Sequence, residues 1–148
     1  HPRVKMPVSS KRREMSSDLD RDSNKIKLWL VDDEQAYVNI LARRLERKGF
    51  QVKVANNGTQ AIQLARIEDF DVAVLDLKMD DMDGIEVLKI FKKMVPDMSV
   101  IMLTGHGSEQ AARDGINFGA FDYLTKPCDF EDLLQKIWEA YEAKKTRP

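Results

Sequence analysis

Long apolar runs, paired cysteines and net charge are all scarce in this 148-residue sequence. The longest apolar runs have four residues, such as Leu28–Val31 and Val72–Leu75, whereas a membrane-spanning helix needs about 20. The single cysteine, Cys128, cannot form an internal disulfide, which argues against a secreted disulfide scaffold. The net charge of −1 argues against bulk electrostatic binding of nucleic acid. We therefore expect a cytoplasmic protein that neither enters a membrane nor binds nucleic acid directly.

The near-neutral average hides two segments of opposite charge. Residues 1–25 carry seven basic and four acidic groups, whereas the remainder carries 17 basic and 21 acidic groups. The first segment has few large apolar residues, so it cannot bury enough surface to offset the entropy of ordering. We expect residues 1–25 to be a disordered basic arm or a non-native extension. Residues 26–145 are expected to form one domain, followed by a tail at 146–148.

Short apolar runs alternate with helix-like segments through the predicted domain. Strands are predicted at Leu28–Val31, Val52–Ala55, Val72–Leu75, Val100–Leu103 and Phe121–Leu124. Helices are predicted at residues 34–48, 58–68, 84–95, 108–119 and 129–145. Five consecutive strand–helix units imply a parallel sheet with helices on both faces.

The composition of the strands indicates their order in the sheet. The first, third and fourth runs are continuously apolar, as expected of strands covered on both faces. The second and fifth are interrupted by Lys53 and Asp122, which suits edge strands with a wetter side. We predict an α/β, flavodoxin-like, doubly wound sheet of five parallel strands in the order 2-1-3-4-5, with five helices.

The last predicted helix has a single apolar stripe, which is typical of core packing. Its members are Phe130, Leu133, Leu134, Ile137, Trp138 and Tyr141. Asp129 is placed to cap the start of this helix. Gly49 marks the end of the first helix.

Chemically active side chains follow the predicted strands at their carboxyl ends, where ligands bind in open α/β sheets. The set is Asp32 and Asp33 after the first strand, Asp76 after the third, Thr104 after the fourth and Lys126 after the fifth. Taken singly, an aspartate at a strand end is more often a helix cap or a turn residue. Together they predict one site at one edge of the sheet.

The predicted cluster of three carboxylates favours a divalent cation. Unpaired carboxylates in one site repel each other and raise each other's pKa. Mg²⁺ accepts oxygen ligands from one or two carboxylates together with phosphate oxygens. An aspartate can also act as a nucleophile and form an aspartyl-phosphate, with Lys126 and Thr104 placed to bind the phosphoryl oxygens.

Five segments of the sequence together resemble the receiver domain of bacterial two-component response regulators. They are Leu30–Glu34, Val74–Met79, Met82–Gly84, Met102–Gly107 and Gly119–Pro127. The resemblance covers residues 26–145. One departure is Asp80, which stands where many receivers have proline, and which we expect to make its loop richer in acid and less rigid.

The resemblance implies a role for each matching residue at the cation and phosphoryl site. Asp76 corresponds to the phosphoacceptor. Asp33 corresponds to the direct acidic ligand of Mg²⁺, and Asp32 to a partner that acts through water. The backbone carbonyl of Lys78 corresponds to a further metal ligand. Lys126 corresponds to the phosphoryl-binding lysine, preceding Pro127 through a cis peptide bond.

The resemblance also implies a switch and a partner. Thr104 corresponds to the switch hydroxyl and Tyr123 to the switch aromatic. The implied donor is a phosphohistidine on a sensor histidine kinase or a histidine phosphotransfer protein. Phosphorylation would change the face formed by the fourth helix, fifth strand and fifth helix, and would promote a homodimer. Such a domain catalyses its own phosphotransfer and dephosphorylation and has no separate metabolic substrate.

Three other functions compete with this interpretation. A haloacid-dehalogenase-like aspartyl-phosphate phosphatase needs Asp-x-Asp at its nucleophile strand, but Leu77 and Lys78 follow Asp76. A flavin or nucleotide binder needs a glycine-rich phosphate loop, which is missing after the first strand. A pseudo-receiver would require a lost acceptor. Only a short tail ending at Pro148 follows the last predicted helix, so we expect a stand-alone receiver or a fragment of a longer regulator.

Overall fold

A computed structural model of the protein describes residues 25–105 and 107–146. The predicted basic arm, apart from Lys25, lies outside the described residues, as do His106 and the last two residues of the tail. Within the described ranges the strands are β1 (Lys27–Val31), β2 (Gln51–Ala55), β3 (Val72–Asp76), β4 (Ser99–Thr104) and β5 (Asp122–Thr125). The helices are α1 (Gln35–Arg47), α2 (Gly58–Ala65), α3 (Gly84–Met94), α4 (Glu109–Asn117) and α5 (Phe130–Lys145).

The strands form one parallel sheet in the order β2-β1-β3-β4-β5, which confirms the predicted fold. The register aligns the carboxyl ends of the central strands, because Val31 pairs with Leu75 and Asp76 pairs with Leu103. Residues that follow these strands therefore meet at one edge. No helix in the described part of the chain has the length and apolar content needed to cross a membrane.

Burial along the strands agrees with their positions in the sheet. Every residue of β3 and β4 is buried, whereas all four residues of β5 are only partly buried. In β2 only Ala55 is fully buried. The interrupted apolar patterns of the second and fifth runs thus mark the two edge strands, as predicted.

The sheet separates two apolar cores. Successive strand side chains point to opposite faces, so Trp29 joins the core beneath α2, α3 and α4, while Leu28 and Leu30 join the core beneath α1 and α5. The Trp29 ring is fully buried and stacks at 4.6 Å on Phe70 and at 4.7 Å on Phe91. Both apolar faces of the sheet are therefore covered, as the continuous apolar runs indicate.

The last helix differs from its prediction at two residues. Leu133 and Ile137 are buried, but Trp138 is 43% exposed and lies with its ring 5.1 Å from that of Phe50. Asp129 occupies the N-cap position of α5, yet its side chain makes no capping hydrogen bond. Gly49 follows α1 with a φ of +100°, a left-handed conformation that favours glycine.

The start of α3 lies against the first residue of the loop that precedes it, Leu77. The Gly84 amide donates to the Leu77 carbonyl at 3.1 Å. A Cβ atom at Gly84 would lie 2.4 Å from the Leu77 Cα atom, which is backbone and cannot move aside cheaply. This close approach requires glycine at position 84.

Replacing Gly84 with alanine should reduce the free energy of unfolding by about 1–3 kcal/mol, because the added methyl group forces a backbone shift. Helix propensity alone would predict the opposite sign. Urea denaturation measures the change. Gly105→Ala is the control, since a Cβ there meets nothing within 4 Å and should change stability by less than about 0.5 kcal/mol. Equal stability of both variants and the wild type would contradict the packing argument.

Candidate functional site

Three aspartates meet at the carboxyl edge of the central strands. Asp32 and Asp33 directly follow β1, and Asp76 ends the neighbouring β3. One carboxylate oxygen from each lies within 4.8 Å of the others. Asp32 and Asp76 are 3% and 5% exposed, whereas Asp33 is half-buried. A compact set of carboxylate oxygens is the donor set that a hard divalent cation prefers.

Lys126 brings a positive charge into this acidic cluster. Its Nζ lies 3.1 Å from Asp32 Oδ2 and 3.5 Å from Asp76 Oδ2, and it also donates to Glu34. Its amide donates to the Thr104 carbonyl at 2.6 Å, which ties it to the end of β4. The Lys126–Pro127 peptide bond is cis. The ammonium thus forms ion pairs with the carboxylates of Asp32 and Asp76.

The pKa of Lys126 reflects opposing influences. Burial favours the neutral amine, but the hydrogen bond to Glu34 and the charges of Asp32 and Asp76 outweigh it and raise the pKa above its ordinary value. Lys126 therefore remains an ammonium at neutral pH. It can neutralise an anion that enters the cleft.

The pKa of the Asp76 carboxyl group lies above its ordinary value. Burial raises its pKa, and the nearby Asp32 charge adds to this effect. The Lys78 amide, which donates to Asp76 Oδ1 at 3.1 Å, and the Lys126 ammonium act in the opposite direction. The net result is a pKa of about 6. A buried carboxyl with a shifted pKa beside a cation is typical of a functional site.

The remaining residues from the sequence prediction lie around this centre. Thr104 ends β4, is 1% exposed, and donates its hydroxyl to the Gly105 carbonyl at 3.1 Å. Lys78 is exposed and lines a cleft of about 480 Å³ together with Asp76 and Lys126. Tyr123 lies two residues before Thr125, the partner of Thr104, and packs against the core beneath α4. Tyr123 pairs with Met102, two residues before Thr104. It therefore lies further from the carboxyl edge of the sheet than the charged centre does.

Sequence reasoning missed several groups that complete the site. Glu34 hydrogen-bonds Lys126, and the Tyr37 ring lies 4.8 Å from the Lys126 Nζ. Both lie shortly after Asp33 in the sequence, at the start of α1. Their closeness to the end of β1 is the signal that could have placed them near the site. The amide of Asp80 donates to Asp33 Oδ2 at 3.2 Å. A backbone donor of this kind leaves no side-chain signature in a sequence.

Comparisons with known proteins agree on one family for this chain. The model of the response regulator receiver domain matches residues 28–138. The transcriptional regulatory protein ZraR of Klebsiella oxytoca is 38% identical over 115 residues, covering 78% of this chain and 26% of that protein. A putative NtrX-like response regulator of Rickettsia conorii is 36% identical over 126 residues, covering 84% of this chain and 27% of that protein.

A solved structure shows the same architecture. A CheY-like response regulator receiver domain protein from Methanospirillum hungatei superposes with a TM-score of 0.79 at 32% identity, covering 82% of this chain and 98% of that one. This chain belongs to the response regulator receiver domain family. It spans about a quarter of the length of the two curated relatives above. The haloacid-dehalogenase alternative receives no support from these matches.

The carboxyl group of Asp76 should titrate with a midpoint near pH 6 in cation-free protein. Because burial and the Asp32 charge both disfavour the carboxylate, Asp32→Asn should lower this midpoint. Removing the ammonium with Lys126→Met should raise it. Carbon-13 NMR of labelled aspartate carboxyl groups measures each titration. A midpoint close to the ordinary aspartate value, about 4, in all three proteins would contradict the described electrostatics.

Proposed function

We propose that this chain accepts a phosphoryl group on Asp76 from a phosphohistidine of a sensor histidine kinase or a histidine phosphotransfer protein. The observation that carries the proposal is the position of Asp76 at the edge of the sheet. Its carboxylate lies beside those of Asp32 and Asp33 and 3.5 Å from the Lys126 ammonium. Membership of the receiver family implies a phosphodonor partner of this kind.

The carboxylates of Asp32, Asp33 and Asp76, with the backbone carbonyl of Lys78, would hold Mg²⁺. The donors fit this ion, because three carboxylates offer oxygens within 4.8 Å of one another and Mg²⁺ takes oxygen ligands and retains water. When bound, the ion neutralises charge that develops on the transferring phosphoryl oxygens. A single lysine cannot balance three carboxylates, so the residues themselves favour a second positive charge.

The transfer step uses Asp76 as the nucleophile. One of its carboxylate oxygens attacks phosphorus, the new O–P bond forms, and the P–N bond to the donor histidine breaks. The electron pair of that bond remains on the imidazole nitrogen, which takes up a proton. Lys126 binds a phosphoryl oxygen and compensates its charge. Water later hydrolyses the acyl phosphate, which restores Asp76 and releases inorganic phosphate.

The proposed switch begins at Thr104. Its hydroxyl donates to Gly105 before phosphorylation and turns to a phosphoryl oxygen afterwards. The space that it leaves allows the Tyr123 side chain to move inward. This rearrangement alters the face formed by α4, β5 and α5 and favours a homodimer. A local electrostatic change thus selects between two arrangements of one surface.

A small phosphodonor such as acetyl phosphate tests the phosphoacceptor directly. With Mg²⁺ the wild type should incorporate one phosphoryl group, visible as a mass increase in intact-protein mass spectrometry. Asp76→Ala should incorporate none, and chelation of the cation should abolish incorporation into the wild type. Incorporation by Asp76→Ala at the rate of the wild type would disprove the assignment.

The switch is tested with the same reaction. Thr104→Ala should still incorporate phosphate, because Asp76 and the cation ligands are intact. It should no longer show the phosphorylation-dependent NMR shifts in α4, β5 and α5 that the wild type shows. Size-exclusion chromatography before and after phosphorylation reports the homodimer. Wild-type shifts in phosphorylated Thr104→Ala would contradict the proposed role of the hydroxyl.

A further inference from the structure

We propose that Asp80 and Asp81 are positioning residues for the cation site. The peptide N–H of Asp80 orients the Asp33 carboxylate, and the Asp81 carboxylate holds the loop that carries this N–H. The inference rests on the proposed function, since it concerns the same cation. It adds a contribution from two residues that supply no ligand themselves and lie in the same loop as Lys78, whose carbonyl is a proposed ligand.

The three carboxylates of the site are each oriented by a backbone amide. The Glu34 amide donates to Asp32 Oδ1 at 2.9 Å, and the Lys78 amide donates to Asp76 Oδ1 at 3.1 Å. In both pairs donor and acceptor are two residues apart, so local chain geometry is sufficient. For Asp33 the donor is the Asp80 amide, 47 residues away, at 3.2 Å from Oδ2. The orientation of Asp33 therefore depends on where the loop after β3 lies.

Asp81 fixes that loop to the start of α2. Its Oδ1 accepts from the Gly58 amide at 2.9 Å. Its Oδ2 accepts from the Thr59 amide at 3.0 Å and from the Thr59 hydroxyl at 2.9 Å. A carboxylate at the N-terminus of a helix also interacts favourably with the helix dipole. The Gly58 and Thr59 amides lower the pKa of Asp81, because their hydrogen bonds stabilise the carboxylate form.

Met82 packs the loop against the same turn of α2. A Cβ atom at Gly58 would lie 2.9 Å from Met82 Sδ, so the thioether occupies the space that glycine leaves. The resemblance predicts a less rigid loop, because Asp80 stands where many receivers have proline. The contacts of Asp81 and Met82 connect this loop to α2 without that proline. The absence of proline leaves an N–H at position 80, and this N–H reaches Asp33.

Two substitutions at position 80 distinguish the effect of the N–H from the effect of the side-chain carboxylate. Asp80→Pro removes both the N–H and the carboxylate, whereas Asp80→Ala removes only the carboxylate. Both variants lose the charge, so they differ in the N–H and in the fixed φ that proline imposes. The response of the Asp80 amide proton to Asp33→Ala separates these two effects. The resemblance to receivers that carry proline here indicates that the fold accommodates it.

Binding of Mn²⁺ to the purified chain, followed by electron paramagnetic resonance, is the test. Asp80→Pro should bind Mn²⁺ about tenfold more weakly than Asp80→Ala, the size of effect expected from loss of a group that orients a metal ligand. Asp80→Ala should stay within about threefold of the wild type, because a solvated charge acts weakly. Asp81→Ala should also bind more weakly than Asp81→Asn, which keeps one acceptor oxygen for the α2 amides.

The chemical shift of the Asp80 amide proton reports its hydrogen bond directly. A general loss of stability would not change this shift in the folded protein. The Asp80 amide proton should shift upfield in Asp33→Ala and in Asp81→Ala, since both changes weaken its hydrogen bond to a carboxylate. The Glu34 and Lys78 amides serve as internal references in Asp81→Ala, because they donate within their own segments. If Asp80→Pro fails to fold, the Asp81 variants and this resonance still decide the question.

The outcomes distinguish the two proposals. Equal Mn²⁺ affinity of Asp80→Pro and Asp80→Ala, or an Asp80 amide that does not respond to Asp33→Ala, would overturn the positioning role and leave the phosphoacceptor proposal intact. A wild type that neither binds Mn²⁺ nor incorporates phosphate would instead overturn the proposed function on which this inference rests.

Discussion

Repulsion among three carboxylates at one edge of the sheet is the constraint on which the site depends. The parallel pairing of β1 with β3 brings Asp32, Asp33 and Asp76 together. The fold itself therefore creates the repulsion among their negative charges. Burial of Asp32 and Asp76 strengthens the effect, because the charges are less well solvated. Lys126 offsets part of it. The remaining negative charge favours the cation that we propose for this cleft.

Hydrogen bonds from backbone amides keep these like charges in a usable arrangement. Each carboxylate receives one N–H, from Glu34, Asp80 or Lys78. Such donors stabilise an ionised oxygen and limit its rotation. A loop movement that breaks one of these hydrogen bonds would change the direction in which the carboxylate presents its oxygens to a cation.

The sequence was sufficient to predict the sheet and the charged centre. Apolar runs located all five strands, and the charges within the runs at Lys53 and Asp122 identified the edges. The aspartates could be placed because parallel strands end at a common edge. Trp138 was wrongly assigned to the core, since periodicity gives the face of a helix but not the width of its buried part. The contact of the Asp80 amide with Asp33 could not be predicted, because it joins segments whose distance depends on the complete fold.

The edge position of β5 has a mechanical consequence. This strand has four residues and pairs with a single neighbour, β4, so displacing it costs hydrogen bonds along one side only. Tyr123 lies within it, and Lys126 follows it directly. A sheet with buried central strands can deform with least loss of pairing at such a margin. The molecule thus combines an acidic centre at the ends of the central strands β1 and β3 with an opposing charge that follows an edge strand, β5.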